Sequence, residues 1–368
     1  MPTPLEGVKV LDFSTLLPGP MCTLMLADAG ADVIKIEKSA GDEMRSYLPK
    51  FGSDSVNFAL LNRGKKSIVA DLKSPDIRRQ LEALILEADV LVEQFRPGVM
   101  DRLGLGYTDV SRINPAIVYC SITGFGQTGP YSLVAAHDMN YQAQAGMMSL
   151  GGDAQGRPGV PPVLTADLAG GAYPAMMNIL LGLRKRDLDG LGCYLDISMA
   201  DNLFPLMYWG LGNGWSDNQW PRPGNELVTG GSPRYQVYQT SDGRYLAAAP
   251  LEDKFWTNFL ALIGAPELEP NENLALVRAS IAKIIAGHPA AYWTAKFAGH
   301  DTCVSEVIGL DKAVVDPHFQ QRGVFSRSVS QGGQTITALP TPINQVFLAH
   351  EKSSASPELG QHTSDFLK

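Results

Sequence analysis

Cysteine is scarce in this 368-residue chain: Cys22, Cys120, Cys193 and Cys303 stand far apart and form no Cys-x-x-Cys pair. That spacing excludes a disulfide framework and the usual zinc patterns, and predicts buried thiols in a reducing compartment. Long apolar runs are missing too. None reaches the ~18 residues of a membrane-spanning helix, and no basic stretch precedes an apolar core near Met1. The sequence therefore predicts a cytoplasmic protein with no membrane span. Positive charge is in deficit, with 30 Lys and Arg against 38 Asp and Glu and a net charge of −8. General nucleic-acid binding is argued against, although a local basic pocket is compatible with that balance. A dinucleotide fingerprint is absent, because the first strand-to-helix turn holds Gly19 alone and no Gly-x-Gly-x-x-Gly. No metal site, internal repeat or low-complexity segment is expected.

What is present is an alternation of strands and helices over a chain that is 45% hydrophobic, enough to bury a sizeable core. Residues Val8–Phe13 and Asp32–Glu37 read as strands around a helix from Pro20 to Ala29, stopped by Gly30. Further strands are expected at Lys66–Leu72, Asp89–Glu93 and Ile117–Thr123, with a helix from Ser74-Pro75 to Glu87. The strand Asp32–Glu37 is apolar enough for a covered parallel sheet. The pattern predicts an α/β fold with a doubly wound, mainly parallel, Rossmann-like sheet, whose ligands sit beyond the carboxyl ends of the strands.

A helix is expected from Leu168 to Arg186 despite Pro174, and a short strand or helix start at Leu195–Met199. Residues 209–229 are rich in Gly, Pro, Trp and Asn and read as a linker. A hairpin around Ser241-Asp242-Gly243, then helices at 253–264 and 275–299, predicts a smaller α+β domain over 230–312. Residues 1–208 form the large domain. Residues 313–368 return to it through strand-like pieces at Gly323–Val329 and Gln334–Ala338.

Two residues stand out chemically. His137 follows the glycine-rich turn Gly124-Phe125-Gly126-Gln127-Thr128-Gly129-Pro130, and Asp167 stands before the run that begins at Leu168. Both are expected at helix N-termini, where free N–H groups and the helix dipole favour negative charge. An imidazole and a carboxylic acid in such places could take a proton from carbon and return one on the other face. The backbone N–H of Asp138 is the candidate donor to the enolate oxygen. Alone, His137 reads as a cap, Asp167 as an N-cap and Glu252 as a solvated charge. Arg63-Gly64-Lys65-Lys66, Lys38, Lys73, Arg96 and Arg102 form the candidate basic patch.

Several ordered motifs carry a resemblance: Gly7-Val8-Lys9-Val10-Leu11-Asp12-Phe13, Pro18-Gly19-Pro20, Gly30 to Glu37, Arg96-Pro97-Gly98-Val99, Gly124 to Pro130 and Asp242-Gly243-Arg244-Tyr245. They resemble the type III CoA-transferase family from the N-terminus to about residue 325. The resemblance implies a large and a small domain and an interlocked homodimer. Within the family, His137-Asp138-Met139-Asn140-Tyr141 is similar to the α-methylacyl-CoA racemase branch. That implies His137 and Asp167 as the two bases, with Glu252 supporting the histidine from the same chain or from its partner. It also implies an acyl-CoA thioester as substrate, with CoA part of that substrate and no separate cofactor. The CoA contacts implied are Lys38, Ala70, Leu72, Lys73, Gln94, Phe95, Arg96, Arg102, Ala136 and Tyr141. Lys38 departs from the arginine that racemase relatives often carry, so it meets a phosphate as a point charge and not as a fork. The alternative reading is a CoA-transferase with Asp167 as nucleophile; a non-catalytic acyl-CoA-binding protein is the third.

Overall fold

The structure, a computed structural model, describes residues 2–152, 156–349 and 353–368. Six strands form its central sheet: β1 Lys9–Asp12, β2 Asp32–Glu37, β3 Lys66–Val69, β4 Val90–Glu93, β5 Val118–Thr123 and β6 Cys193–Ser198. All neighbours run parallel, in the order β3-β2-β1-β4-β5-β6. This is the doubly wound order, and it reverses direction between β1 and β4.

Helices lie on both faces, which is why apolar residues recur on both sides of the inner strands, while the charged Asp12, Lys35 and Glu37 within β1 and β2 are buried in ion pairs. Leu11, Ile34, Ile36, Leu91 and Tyr119 pack with Leu81 and Ile85 of α2 (Pro75–Glu87). On the opposite face lie α1 (Pro18–Asp28) and, after the short α3 (Asp138–Gln144), the long α4 (Tyr173–Asp189). Gly182 lets α4 approach β5 closely: a Cβ there would stand 2.9 Å from Val118 Cγ1. Helix α1 begins at Pro18, two residues before the expected start, with proline in its first turn. Gly19 is required for contact, since its Cβ would lie 2.2 Å from Ser14 Cβ. Its N–H donates to Gln94 Oε1 at 3.0 Å, tying α1 to the end of β4 at the switch point.

Beneath that point lies a water-excluded ionic network. Lys35 pairs with Asp42 at 3.0 Å, Lys65 with Asp12 at 3.2 Å, and Arg45 with both Glu37 and Asp54 at 2.7 Å. Buried pairs are tolerable only when their remaining hydrogen bonds are made. Lys65 Nζ accordingly also donates to Thr23, Asn62 and the Pro20 carbonyl.

The chain divides into two compact units, one of Met1–Ala145, Pro161–Leu206 and Pro317–Lys368, the other of Gly146–Val160 and Met207–Asp316. The segment 209–229, expected as a linker, carries the helix α5 (Tyr208–Asp217). Its glycines weaken intrinsic helicity, but Gly214 admits the Trp220 ring, which a Cβ would meet at 2.4 Å. The second unit contains the antiparallel sheet of β7 (Gln236–Gln239), β8 (Tyr245–Ala248) and β9 (Val304–Glu306). With it are α6 (Asp253–Ile263), α7 (Leu274–Ile285) and α8 (Ala290–Phe297). The single helix expected over 275–299 is thus two, because Pro289 lacks an N–H and caps α8 instead of continuing α7. In the tail, β10 (Ser328–Gln331) pairs with β11 (Gln334–Thr337) and β12 (Ser353–Ala355), and Val329 packs against Ala59. The last residues fold onto β3: Ser67 N–H donates to His362 Nδ1 at 3.2 Å and Val69 N–H to Thr363 Oγ1 at 3.0 Å.

Candidate active site

The glycine-rich turn leaves β5 and delivers the chain to α3. Tyr141 seals that approach, its ring edge-on to Phe125 with centroids 5.1 Å apart and its hydroxyl donating to Ala136 O at 2.7 Å. His137 is the N-cap of α3, with extended backbone and an exposed side chain, and its N–H donates to Asn140 Oδ1 at 3.0 Å. Asp138 opens the helix, so its N–H has no acceptor within α3.

The Asp138 side chain has a role that sequence reasoning missed. It is buried, and its Oδ1 accepts the N–H of Asp167 at 2.9 Å while Oδ2 accepts Gln142 Nε2 at 2.6 Å. One carboxylate thus joins the segment carrying His137 to the segment carrying Asp167. Nothing in the sequence singles out Gln142 except its place four residues after Asp138, one helical turn away.

Asp167 is the second residue of a π-helical turn, Ala166–Ala172, which runs directly into α4. Such widened turns occur frequently at functional sites. Gly170 and Gly171 make this one fit: a Cβ on Gly170 would lie 2.3 Å from the Met199 carbonyl oxygen, and Asn202 donates to Gly170 O at 2.8 Å. Burial, helped by the like charge of Asp138, raises the Asp167 carboxyl from the ordinary 3.8 to about 7. Burial likewise pushes the Tyr141 phenol up to about 12, aided by the charges of Asp167 and Asp138 and opposed by that of Arg96.

The expected CoA contacts are distributed along the carboxyl edge of the sheet. Lys38 follows β2, exposed, 3.4 Å from Glu43. Ala70 closes β3, its N–H donating to Glu37 O at 2.9 Å, with Leu72 packed on the core and Lys73 exposed beyond. Gln94, Phe95 and Arg96 follow β4; Phe95 packs on the core and Arg96 is exposed. Arg102 ends the short helix Val99–Arg102, also exposed. The run Arg63-Gly64-Lys65-Lys66 does not supply the expected basic patch. Arg63 is buried against Asp28, Lys65 against Asp12, and Lys66 pairs with Asp32 at 2.8 Å, so their charges are already matched. Glu252 belongs to the second unit, where it is the exposed N-cap residue of α6 and makes no side-chain capping bond.

Residues 5–363 match the family model for CoA-transferase family III. The chain belongs to that family. Relatives of two activities stand at similar distance within family III. The chain is 32% identical to α-methylacyl-CoA racemase of Mus musculus, over 99% of this chain and 92% of the relative. It is 33% identical to acetyl-CoA:oxalate CoA-transferase of Acetobacter aceti, over 99% and 95%. Among solved structures, a CaiB/BaiF family protein from Brucella suis superposes with a TM-score of 0.84 at 29% identity, covering 99% of this chain and 98% of that one. The family III fold expected from the motifs is therefore the one observed. No single helix among the described residues is long and apolar enough to cross a membrane.

Proposed function

We propose that this protein inverts the α-carbon of 2-methyl-branched acyl-CoA thioesters by two-base proton transfer. The observation that carries this reading is Asp167: a half-buried carboxyl with its proton affinity set near neutrality, in a turn bonded to the segment that carries His137. A group that must give a proton in one direction and take one in the other works best with such a value. A carboxylate nucleophile, by contrast, gains nothing from being half protonated. In the proposed reaction the thioester oxygen lies at the Asp138 N–H. One base removes the C2 proton, the electron pair moves onto that oxygen as an enolate, and the other base protonates C2 from the opposite face. CoA belongs to the substrate, so the chemistry needs no prosthetic group. Lys38, Lys73, Arg96 and Arg102 would hold its phosphates. Glu252 would orient the imidazole and balance its charge, from this chain or a second copy.

We assign the protein a homodimeric state. Helix α4 exposes Tyr173, Met177, Leu181 and Leu188 on one stripe while burying Ala175, Met176, Ile179 and Leu183 on the other. A helix apolar on both sides calls for cover on both.

The second reading, favoured by the equally similar transferase, makes Asp167 a nucleophile. Its carboxylate would displace CoA thiolate to give a mixed anhydride, and the thiolate would then attack the aspartyl carbonyl and release the free acid. The deciding experiment incubates a chiral 2-methylacyl-CoA in deuterated water without an acceptor acid. Deuterium at C2 and decaying optical purity are expected. CoA transfer on adding a carboxylic acid, with no exchange beforehand, would reverse the assignment.

A further inference from the structure

Most of the buried carboxylates of the large unit have a cation: Asp12 has Lys65, Asp28 has Arg63, Glu37 and Asp54 share Arg45, and Asp42 has Lys35. Glu93, the last residue of β4, is 3% exposed and among the described residues has none. Instead one oxygen accepts the N–H of Phe95 at 2.7 Å and the carboxyl bonds the Ser121 side chain, while Asp101 and Asp196 add like charge nearby. Burying an acid beside two others is costly. Burial and those neighbours raise its carboxyl to about 7.

What Glu93 holds is the turn that follows it. The Gln94 side chain is tied to Gly19, Phe95 is anchored both by Glu93 and by packing in the core, and the Arg96 carbonyl accepts Val99 N–H at 3.1 Å. The Arg96 side chain is what these ties leave free; it forms no ion pair among the described residues. Glu93 and Arg96 line the same cavity of about 360 Å³, walled by Tyr107, Tyr119 and Tyr194.

We infer that Glu93 is a positioning residue: by accepting the Phe95 N–H it fixes the turn from which Arg96 reaches an anionic group of the CoA handle. This rests on the CoA-binding role proposed for Arg96. It adds that the affinity depends on a buried acceptor that need not touch the ligand. A carboxamide can accept the same N–H, so the acceptor and not the charge is what the turn requires.

The test measures CoA binding by titration calorimetry, KM and kcat with a 2-methylacyl-CoA, and thermal midpoints. Glu93→Ala is expected to weaken CoA ~10-fold, the worth of about one net hydrogen bond, and to raise KM more than it lowers kcat. Glu93→Gln should restore affinity to within ~3-fold of the native protein. Ser121→Ala, which loosens Glu93 without removing it, gives a milder ~2- to 5-fold loss and serves where Glu93→Ala does not fold. A lowered midpoint with unchanged CoA affinity in the alanine variants would make Glu93 merely structural and overturn the inference. A glutamine variant as weak as alanine would overturn it too. Arg96→Gln separates the two levels of the argument. If it weakens CoA while the Glu93 variants do not, the positioning role alone fails; if it has no effect, the CoA-binding assignment beneath it fails.

Discussion

Asp167→Asn should make the protein more stable and abolish net racemisation while leaving the exchange that His137 carries out, and the stability gain should appear only as pH rises. The amide has nearly the same shape and leaves the backbone N–H bonded to Asp138. It removes a carboxyl whose folded-state value is about 7 against an ordinary 3.8, roughly three decades of proton affinity. Each decade corresponds to about 1.4 kcal/mol, so the ceiling is about 4 kcal/mol. Asp167 is only partly buried, and water screening brings the expected gain to about 1–3 kcal/mol. Because the folded protein holds this proton more tightly than the unfolded chain, the carboxyl costs nothing below about pH 4. Its cost grows between about pH 4 and 7 and is constant above. Urea denaturation of both proteins, followed by tryptophan fluorescence from pH 4.5 to 8.5, reads this directly. The difference between them should widen with pH and level off above about pH 7.5. A difference independent of pH, or a variant less stable throughout, would refute the claim that burial and Asp138 raise this carboxyl.

Four further outcomes are expected. His137→Ala should stop C2 exchange from one enantiomer while Asp167 still exchanges the other, at a cost of ~10²–10⁴ on the lost side, and Glu252→Gln should weaken the same side. Enantiomer-resolved deuterium incorporation checks both, and equal loss from the two enantiomers would contradict the two-base assignment. Arg102→Ala should raise KM more than it lowers kcat and weaken free CoA in calorimetry; an intact CoA affinity with abolished turnover would contradict its role as a handle. The proposed dimer should persist on dilution in sedimentation experiments, and a folded monomer at low concentration would contradict an interlocked arrangement.

The central sheet was legible because its strands are apolar on both faces, and that signal survives without any tertiary information. The expected strand at Asp32–Glu37 coincides with β2, and those at 89–93 and 117–123 begin one residue before β4 and β5. Elements decided by packing or by a single residue inside a periodic run were less legible. Helix α5 depends on Trp220 filling the space beside Gly214, and the break between α7 and α8 on Pro289, which lacks an N–H and caps α8. At the site, residue types pointed to His137 and Asp167, but not to the bond between their segments. That bond runs through a side chain, Asp138, for which the sequence suggested only a backbone role. The basic run at 63–66 misled for a related reason: a cation seeks the nearest carboxylate, and Asp28, Asp12 and Asp32 are brought to it only by folding.

The closing of β3 by the chain's last residues has a consequence for biosynthesis. During translation the edge of β3 stands uncovered until the segment Gly360–Thr363, some 290 residues downstream, has been made and can bond Ser67 and Val69. An exposed parallel edge is a template for pairing with another nascent chain, and contacts so distant in sequence form slowly. Shielding by a chaperone, or dilution, should therefore govern the yield of soluble protein more than the stability of the finished fold does.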